Sequence, residues 1–359
     1  MSVRLIGWSV VLCALICSGC NNVGPMALRG GRKDYNIAIQ QTSSEQMLLN
    51  LVRLKYRDAP FFLEISSVAT QFNLEAGLGA SATFPDKNLP ANNVWGGSAA
   101  VGYAEKPTVS YSPLQGDRFV KQVMAPIGVD TLMLLYQTGW SIERVFRMCV
   151  QRVNGVRYAP GASGPTPAYA PEHKTFLRVC KLLRVLQRDD ALGILGDKKA
   201  GLLLGVSHSA RESEEVKELC KILGLEKPYA NEELQKRHDA DFYLLNIETR
   251  SLMGVMYLLA QGVQTPAKDA SLGRVTVTKN KDGSVFDWGE VLGGFFSAPC
   301  DGSPVAGRYV AVNYRGHTFY IDDADLETKS TFSLLTQVFA LQAGEIKLSG
   351  PALTLPVGQ

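Results

Sequence analysis

Hydrophobic and polar residues alternate with a period of two through one unusually long stretch of the chain. Every second residue from Phe72 to Phe84 is apolar. The positions between them are polar or glycine: Asn73, Glu75, Gly77, Gly79, Ser81 and Thr83. In a β-strand, successive side chains point to opposite faces. The pattern therefore predicts a strand about twice as long as the five or six residues that are usual in globular proteins.

A second alternating segment follows a polar loop, 85–93, that contains two prolines. Together the two segments predict a β-hairpin over 72–104 with one apolar face and one small or polar face. Aromatic residues lie at both ends of the apolar band, as they do in the strands of outer-membrane barrels. The small or polar face would suit the water-filled interior of such a barrel. The residues that we predict to meet lipid or a neighbouring copy are Phe72, Leu74, Leu78, Phe84, Trp95, Val101 and Tyr103.

Two interpretations of this hairpin stay open. In the first, it belongs to a β-barrel or collar built from many copies, because a lone hairpin in lipid would leave its edge amides without hydrogen-bond partners. In the second, it packs within a soluble domain, where glycine and alanine let neighbouring backbones approach closely. Glu75 and the pair Glu105 and Lys106 then lie on a solvated surface.

Outside the hairpin, apolar residues recur mostly at helical spacing, interrupted by short strand patterns. Helices are predicted over about 35–55, in three pieces over 117–153, and over 172–188, 212–223, 234–261 and 327–341. Strands are predicted over 61–68, 108–111, 200–206, 307–312 and 318–321. This order of elements predicts an α+β fold, in which helices pack on small, mainly antiparallel sheets.

The first twenty residues resemble a cleavable signal peptide that ends at a lipid-attachment site. Arg4 precedes an apolar run, 5–16, that is too short to span a bilayer as an ordinary helix. Small residues then lead to Cys20, the residue that bacterial lipoproteins acylate, although Cys17 stands where leucine is usual. An aspartate after the acylated cysteine typically retains a lipoprotein in the inner membrane. Asn21 occupies that position here, which resembles the sequence of lipoproteins sorted to the outer membrane. We therefore expect a periplasm-facing protein that is anchored to the outer membrane through lipid on Cys20.

These features predict five segments along the chain. They are a signal peptide (1–19), a lipidated tether (20–34), an N-terminal α+β domain that carries the hairpin (35–154), a Gly- and Pro-rich linker (155–171) and a C-terminal α+β domain (172–359). The formal net charge of +3 is too small to indicate a nucleic-acid partner.

Residues that could carry catalysis or bind a metal are sparse. The four histidines lie far apart, without the spacing of a zinc protease or of a cysteine–histidine site. Ser207 and His208 lack the glycine-flanked turn of a hydrolase nucleophile. The acidic run 322–325 fits the cap of the helix that follows it better than a cation site. We therefore expect no catalytic residue, no metal and no cofactor.

The cysteines of the mature chain leave the disulfide question open. Cys149, Cys180 and Cys220 lie in apolar helical patterns, which favours buried free thiols. An oxidising compartment would instead allow two disulfides among these three residues and Cys300.

Three segments resemble a family of uncharacterised lipoproteins from Gram-negative bacteria. They are QMLLNLVRLKYRDAP at 46–60, PTVSYSPL at 107–114 and YRGHTFYIDD at 314–323. The resemblance covers most of the mature chain and implies a lipoprotein, but it brings no activity and no catalytic residue.

The sequence thus predicts an outer-membrane lipoprotein with a structural or assembly role rather than an enzyme. Its expected partners are the bilayer, through acylated Cys20, and either other proteins or further copies of itself. In the main hypothesis, the 72–104 hairpins of several copies form a barrel or collar of an export or secretion conduit. In the alternative, the protein is a monomeric periplasmic binding or scaffold module of an envelope complex.

Overall fold

A computed structural model of the chain describes residues 23–83, 94–197, 201–229, 232–302, 307–343 and 353–356. Its elements are helices and small antiparallel sheets, which confirms the predicted α+β class. The chain divides into two compact units. Unit 1 contains the described residues of 23–60 and 123–343, and unit 2 contains those of 61–122 together with 353–356.

The bounds of the elements are as follows. The helices are α1 (Val23–Lys55), α2 (Asp117–Met124), α3 (Val129–Gln137), α4 (Ile142–Cys149), α5 (Lys174–Arg188), α6 (Glu214–Leu223), α7 (Glu232–His238), α8 (Leu252–Ala260), α9 (Ala267–Ser271), α10 (Gly289–Leu292) and α11 (Leu326–Ala343). The strands are β1 (Phe62–Thr83), β2 (Val94–Leu114), β3 (Val150–Val153), β4 (Val156–Arg157), β5 (Leu192–Asp197), β6 (Gly201–Ser207), β7 (Ala240–Leu245), β8 (Ile247–Thr249), β9 (Arg308–Tyr314), β10 (His317–Asp322) and β11 (Leu353–Pro356).

Unit 2 is built on one three-stranded sheet with the strand order β1-β2-β11. The strand predicted at 61–68, the first alternating segment and the extended piece at 108–111 merge into the two long strands β1 and β2. At the base of the sheet, the rings of Phe62 and Phe119 lie 5.9 Å apart, and both residues are buried. This aromatic contact gives the base a small apolar core, shared with the first turns of α2.

Unit 1 has its core around α8 and the C-terminal half of α1. Leu48, Leu51 and Val52 of α1 are fully buried, and this half of the helix packs on α8 and β9. Helix α8 is apolar nearly all round, as expected for a helix enclosed by protein. Helix α5 packs on both α4 and α6, and three small sheets (β4-β3-β8, β5-β6-β7 and β9-β10) complete the unit.

Within the part of the chain that the structure describes, no helix combines the length and the apolar content that crossing a bilayer requires.

The single helix predicted over 234–261 is wrong. Residues 232–260 instead form α7, β7, β8 and α8. Asp239 takes a positive φ of 48°, which ends α7, and β7 then pairs with β6 along its whole length. Periodicity could not separate these elements, because a short apolar run fits a buried strand as well as a buried helix.

Two further segments differ from expectation. Helix α1 begins at Val23 rather than near Tyr35, since extending a helix that already exists avoids the cost of nucleation. The Gly- and Pro-rich segment 155–171 lies inside unit 1, where Tyr158 and Ala162 are fully buried. The Arg250 guanidinium donates hydrogen bonds to backbone carbonyls of this segment, so the segment is part of the core.

Candidate functional site

The predicted hairpin is present as an antiparallel ladder, which we call the β1–β2 ribbon (residues 62–83 and 94–114). The ladder is continuous from Ser67 to Thr83, and its register shifts between Ile65 and Ser67. Its Cα pairs run from Phe62 with Leu114 to Thr83 with Val94. Of the predicted interface residues, Phe72, Leu74 and Leu78 lie in β1, and Trp95, Val101 and Tyr103 lie in β2. Phe84 and the predicted lipidation residue Cys20 lie outside the described residues.

The register of the ribbon pairs the apolar positions of one strand with those of the other. The pairs are Leu74 with Tyr103, Ala76 with Val101, Leu78 with Ala99 and Ala82 with Trp95. Positions that are paired across an antiparallel ladder belong to the same face of the sheet. A slip of one residue would have put the apolar residues of the two strands on opposite faces of the ribbon. The alternating residues of both strands therefore form one apolar face. This face ends at Phe72, whose partner in the ladder is the charged residue Glu105.

The long edges of the ribbon are mostly open within the described part of the chain. Strand β11 pairs with β2 only at residues 108–111. Among the described residues, no further strand pairs with 94–107 or with the outer edge of β1 over 72–83. An open edge presents a row of unpaired amide and carbonyl groups, which can add a strand from another chain.

Polar side chains from four parts of unit 1 meet near the C-terminal end of α1, in a group that we call the polar cluster. Its members are Tyr56, Asp58, Asp269, Arg274, Cys300, Asp301, Tyr314, Arg315 and His317. Two of the four parts lie in the segments 46–60 and 314–323. The fold therefore brings together side chains from segments that are far apart in sequence.

Tyr56 and Asp269 form the buried side of the cluster. The Tyr56 hydroxyl donates to Oδ2 of Asp269 at 2.6 Å, and Arg274 donates to Oδ1 at 2.9 Å. Only 4% of Tyr56 and 2% of Asp269 are exposed. The Tyr56 bond, assisted by Arg274, lowers the pKa of Asp269 below its ordinary 3.8. Burial, and then Asp269, raise the pKa of Tyr56, so this pair is a neutral phenol that donates to a carboxylate.

Asp58 joins the end of α1 to the β9–β10 hairpin. It accepts hydrogen bonds from the Tyr314 hydroxyl and, at 2.9 Å, from Arg315. Partial burial alone would raise the pKa of Asp58, but these two bonds and nearby arginine charges outweigh it and lower the pKa. The Arg315 guanidinium also lies 4.9 Å from the centre of the Tyr56 ring, within the range of a cation–π contact.

Arg315 holds an unfavourable backbone conformation. Arg315 and Gly316 form the two-residue turn of the hairpin, with φ of 52° and 84°. A turn with two positive φ values favours Asn, Asp or Gly at its first position. Arginine there is strained, and its contacts with Asp58 and Tyr56 supply a physical reason for its presence.

Cys300, Asp301 and His317 form the more exposed side of the cluster. One donor atom from each residue lies within 4.8 Å of the others. Nδ1 of His317 is 2.5 Å from Oδ2 of Asp301, and the Thr318 amide donates to Oδ1 at 2.7 Å. Burial, and then Asp301, raise the pKa of the Cys300 thiol to about 12. The Thr318 amide, and then His317, lower the pKa of Asp301.

Sequence spacing did not reveal this group, in which the fold brings Cys300 and His317 together. The β-bridge between Cys300 and Phe319 aligns the loop at 299–302 with β10, which sequence spacing does not reveal. The usable signal was the adjacent pair of potential ligands, Cys300 and Asp301, which shortly precedes His317 in the sequence. The four described cysteines are free thiols. Cys149 and Cys180 are buried as predicted, but Cys220 is only partly buried.

Comparisons with known proteins do not extend this picture. No protein-family model, curated protein or solved structure matches the chain. Function is therefore argued from the β1–β2 ribbon and the polar cluster themselves.

Proposed function

We propose that the protein is an outer-membrane lipoprotein whose copies assemble through the β1–β2 ribbon. Acylated Cys20 anchors each copy, the folded part faces the periplasm, and the ribbons of several copies form a barrel or collar of an export or secretion conduit. The role is structural rather than enzymatic. The observation that carries the proposal is the continuous ladder, in which two apolar alternations are in register with each other.

The length of the ribbon supports a membrane-crossing role. The 12 residues 72–83 of β1 pair with β2 without interruption. At about 3.4 Å per residue they extend roughly 40 Å. With the tilt of about 45° that membrane strands adopt, they rise roughly 28 Å, which matches the apolar band of about 25 Å on outer-membrane barrels. Residues 72–83 are therefore just long enough to cross the hydrocarbon region.

The open edges of the ribbon support assembly. Each unpaired backbone group in hydrocarbon costs several kcal/mol, so one ribbon cannot be stable in lipid by itself. If β1 of one copy pairs with β2 of the next, both open edges are satisfied and the ring closes without an edge. Each copy adds two antiparallel strands, which gives the even strand number of bacterial barrels.

A pair of arginine substitutions tests the proposal. Leu78 and Ser98 occupy neighbouring rungs of the ladder on opposite faces, since Leu78 pairs with Ala99 and Ser98 pairs with Gly79. Leu78→Arg should cost about 2–4 kcal/mol per subunit if position 78 meets the bilayer centre. That cost lowers the association constant of each subunit by roughly thirtyfold to thousandfold. Ser98→Arg, on the small and polar face, should leave assembly unchanged.

The readout is the fraction of lipidated protein recovered as an oligomer after mild detergent extraction. The proposal requires that Leu78→Arg removes the oligomer and that Ser98→Arg retains it. Equal recovery of both variants as oligomers would exclude lipid contact at position 78. A wild-type monomer, with Leu78→Arg lowering its melting temperature, would support the alternative of a monomeric scaffold module that covers its own apolar face.

A further inference from the structure

We propose that Cys300, Asp301 and His317 bind a divalent transition-metal ion of the Zn²⁺ class. The three residues supply a thiolate sulfur, a carboxylate oxygen and an imidazole nitrogen, the donor types that hold zinc in proteins. The site lies in unit 1 and does not include the ribbon, so the proposal goes beyond the proposed function and stands independently of it.

The donor atoms are close enough to share one ion. A tetrahedral zinc ion binds sulfur at about 2.3 Å and nitrogen or oxygen at about 2.0–2.2 Å, so its ligand atoms lie roughly 3.3–3.8 Å apart. The three donor atoms all lie within 4.8 Å of one another, and His317 and Asp301 approach to 2.5 Å. Side-chain movements of about 1 Å would suffice to bring them to that spacing. Binding replaces the thiol proton of Cys300, which is released to solvent.

The loop that carries two of the ligands is fixed in place. Asp301 accepts a hydrogen bond from the Thr318 amide, and its own amide donates to the Thr318 carbonyl at 2.9 Å. Its φ of 53° is unfavourable for a residue with a side chain, a strain that often marks functional sites. A Cβ at Gly302 would lie 2.6 Å from the Tyr320 hydroxyl, so a larger residue there would have to displace the Tyr320 side chain. The carboxylate is therefore held beside His317 before any ion arrives.

Charge and accessibility also favour a cation. The buried Asp269 carboxylate acts electrostatically on both Cys300 and His317, although it is paired with Arg274. The side chains of Asp301 and His317 are 48% and 32% exposed, which gives an ion a path from solvent. Three protein ligands leave a fourth coordination position for water.

Cobalt titration tests the site, because Co²⁺ bound to a thiolate gives a charge-transfer absorption band that oxygen and nitrogen ligands do not give. The titration uses the purified full-length protein, whether or not it carries lipid, after treatment with EDTA. We expect one Co²⁺ per chain, displaced by Zn²⁺, with the band lost in Cys300→Ser. Cys220→Ser is the matched control, since Cys220 is also a half-buried free thiol. His317→Gln and Asp301→Asn should each weaken Co²⁺ binding by roughly tenfold or more. Loss of a residue that only orients a metal ligand already weakens binding by this amount, and a direct ligand should matter at least as much.

Several results would overturn the proposal. They are the absence of the band in the wild type, its survival in Cys300→Ser, and its loss in Cys220→Ser. If both His317→Gln and Asp301→Asn bind Co²⁺ as tightly as the wild type does, Cys300 alone binds the ion and the three residues do not form a site. A second measurement needs no variant: calorimetry of Zn²⁺ binding to the wild type, in buffers of different ionisation enthalpy, should show release of at least one proton. Binding without proton release would exclude the Cys300 thiolate as a ligand.

Discussion

Replacing Tyr56 by phenylalanine removes one hydroxyl from the buried side of the polar cluster. That hydroxyl donates to Asp269 at 2.6 Å, and both residues are almost wholly buried. A buried hydrogen bond to a charged group contributes about 1.5–3 kcal/mol, and an acceptor left unsatisfied costs about 1–3 kcal/mol. Arg274 still holds the other carboxylate oxygen. We therefore expect Tyr56→Phe to lower the free energy of unfolding of unit 1 by about 2 kcal/mol.

Equilibrium urea denaturation of the purified protein measures this loss. With a urea dependence of about 3 kcal/mol per molar, the midpoint should fall by roughly 0.7 M. The matched control is Tyr309→Phe, which removes the hydroxyl of a residue that is 39% exposed and whose ring packs against Phe332. Its midpoint should stay close to that of the wild type. If Tyr56→Phe and Tyr309→Phe shift the midpoint equally, the Tyr56 hydrogen bond contributes nothing specific to stability.

The loss of stability in Tyr56→Phe should depend on pH. The Tyr56 bond lowers the pKa of Asp269 in the folded state below its ordinary 3.8. A carboxyl group of this kind stabilises the fold above its unfolded-state pKa, and the stabilisation is lost as the pH falls through the folded-state pKa. The gap between wild type and Tyr56→Phe should therefore be complete at pH 7 and narrow below about pH 4. A gap that widens on acidification would contradict this assignment.

Three further predictions concern single residues of unit 1. Arg315→Gln should raise the pKa of Asp58, because it removes a hydrogen bond and a positive charge; carboxyl ¹³C NMR measures the change, and acid-induced unfolding should begin at a higher pH. Cys300, whose pKa is raised to about 12, should react with iodoacetamide at pH 8 at least about tenfold more slowly in EDTA-treated folded protein than in urea, and Asp301→Asn should speed the reaction. Asp325→Ala removes the side chain that caps the first turn of α11 and should cost about 1 kcal/mol, measured as a lower melting temperature.

The sequence was most informative where one pattern ran for many residues. The alternation from 72 to 84 predicted a long strand, and the polar loop predicted where the chain reverses. The ladder between β1 and β2 has this form, with the apolar positions of both strands in register. Helices α5, α6 and α11 were predicted within a few residues, since each buries one stripe of apolar residues.

The sequence was least informative where tertiary contacts decide the structure. Strand β7 reads as part of a helix because its apolar run is short, and pairing with β6 gives it its extended form. The cluster of Cys300, Asp301 and His317 depends on one β-bridge between a loop and β10, which leaves no periodic signal. Arg315 has a residue type that its turn does not favour, and its contacts with Asp58 and Tyr56 supply the physical reason for it.

The native mass and shape of the detergent-extracted, lipidated protein test the central proposal, assembly through the β1–β2 ribbon, most directly. Light scattering and negative-stain imaging would compare the wild type with a variant that lacks 72–105 and joins Gln71 to its ladder partner Lys106 through a short Asn-Gly turn. The proposal predicts a closed ring of many copies for the wild type and a folded monomer for the variant. A wild-type monomer, or an oligomer that survives the deletion, would contradict it.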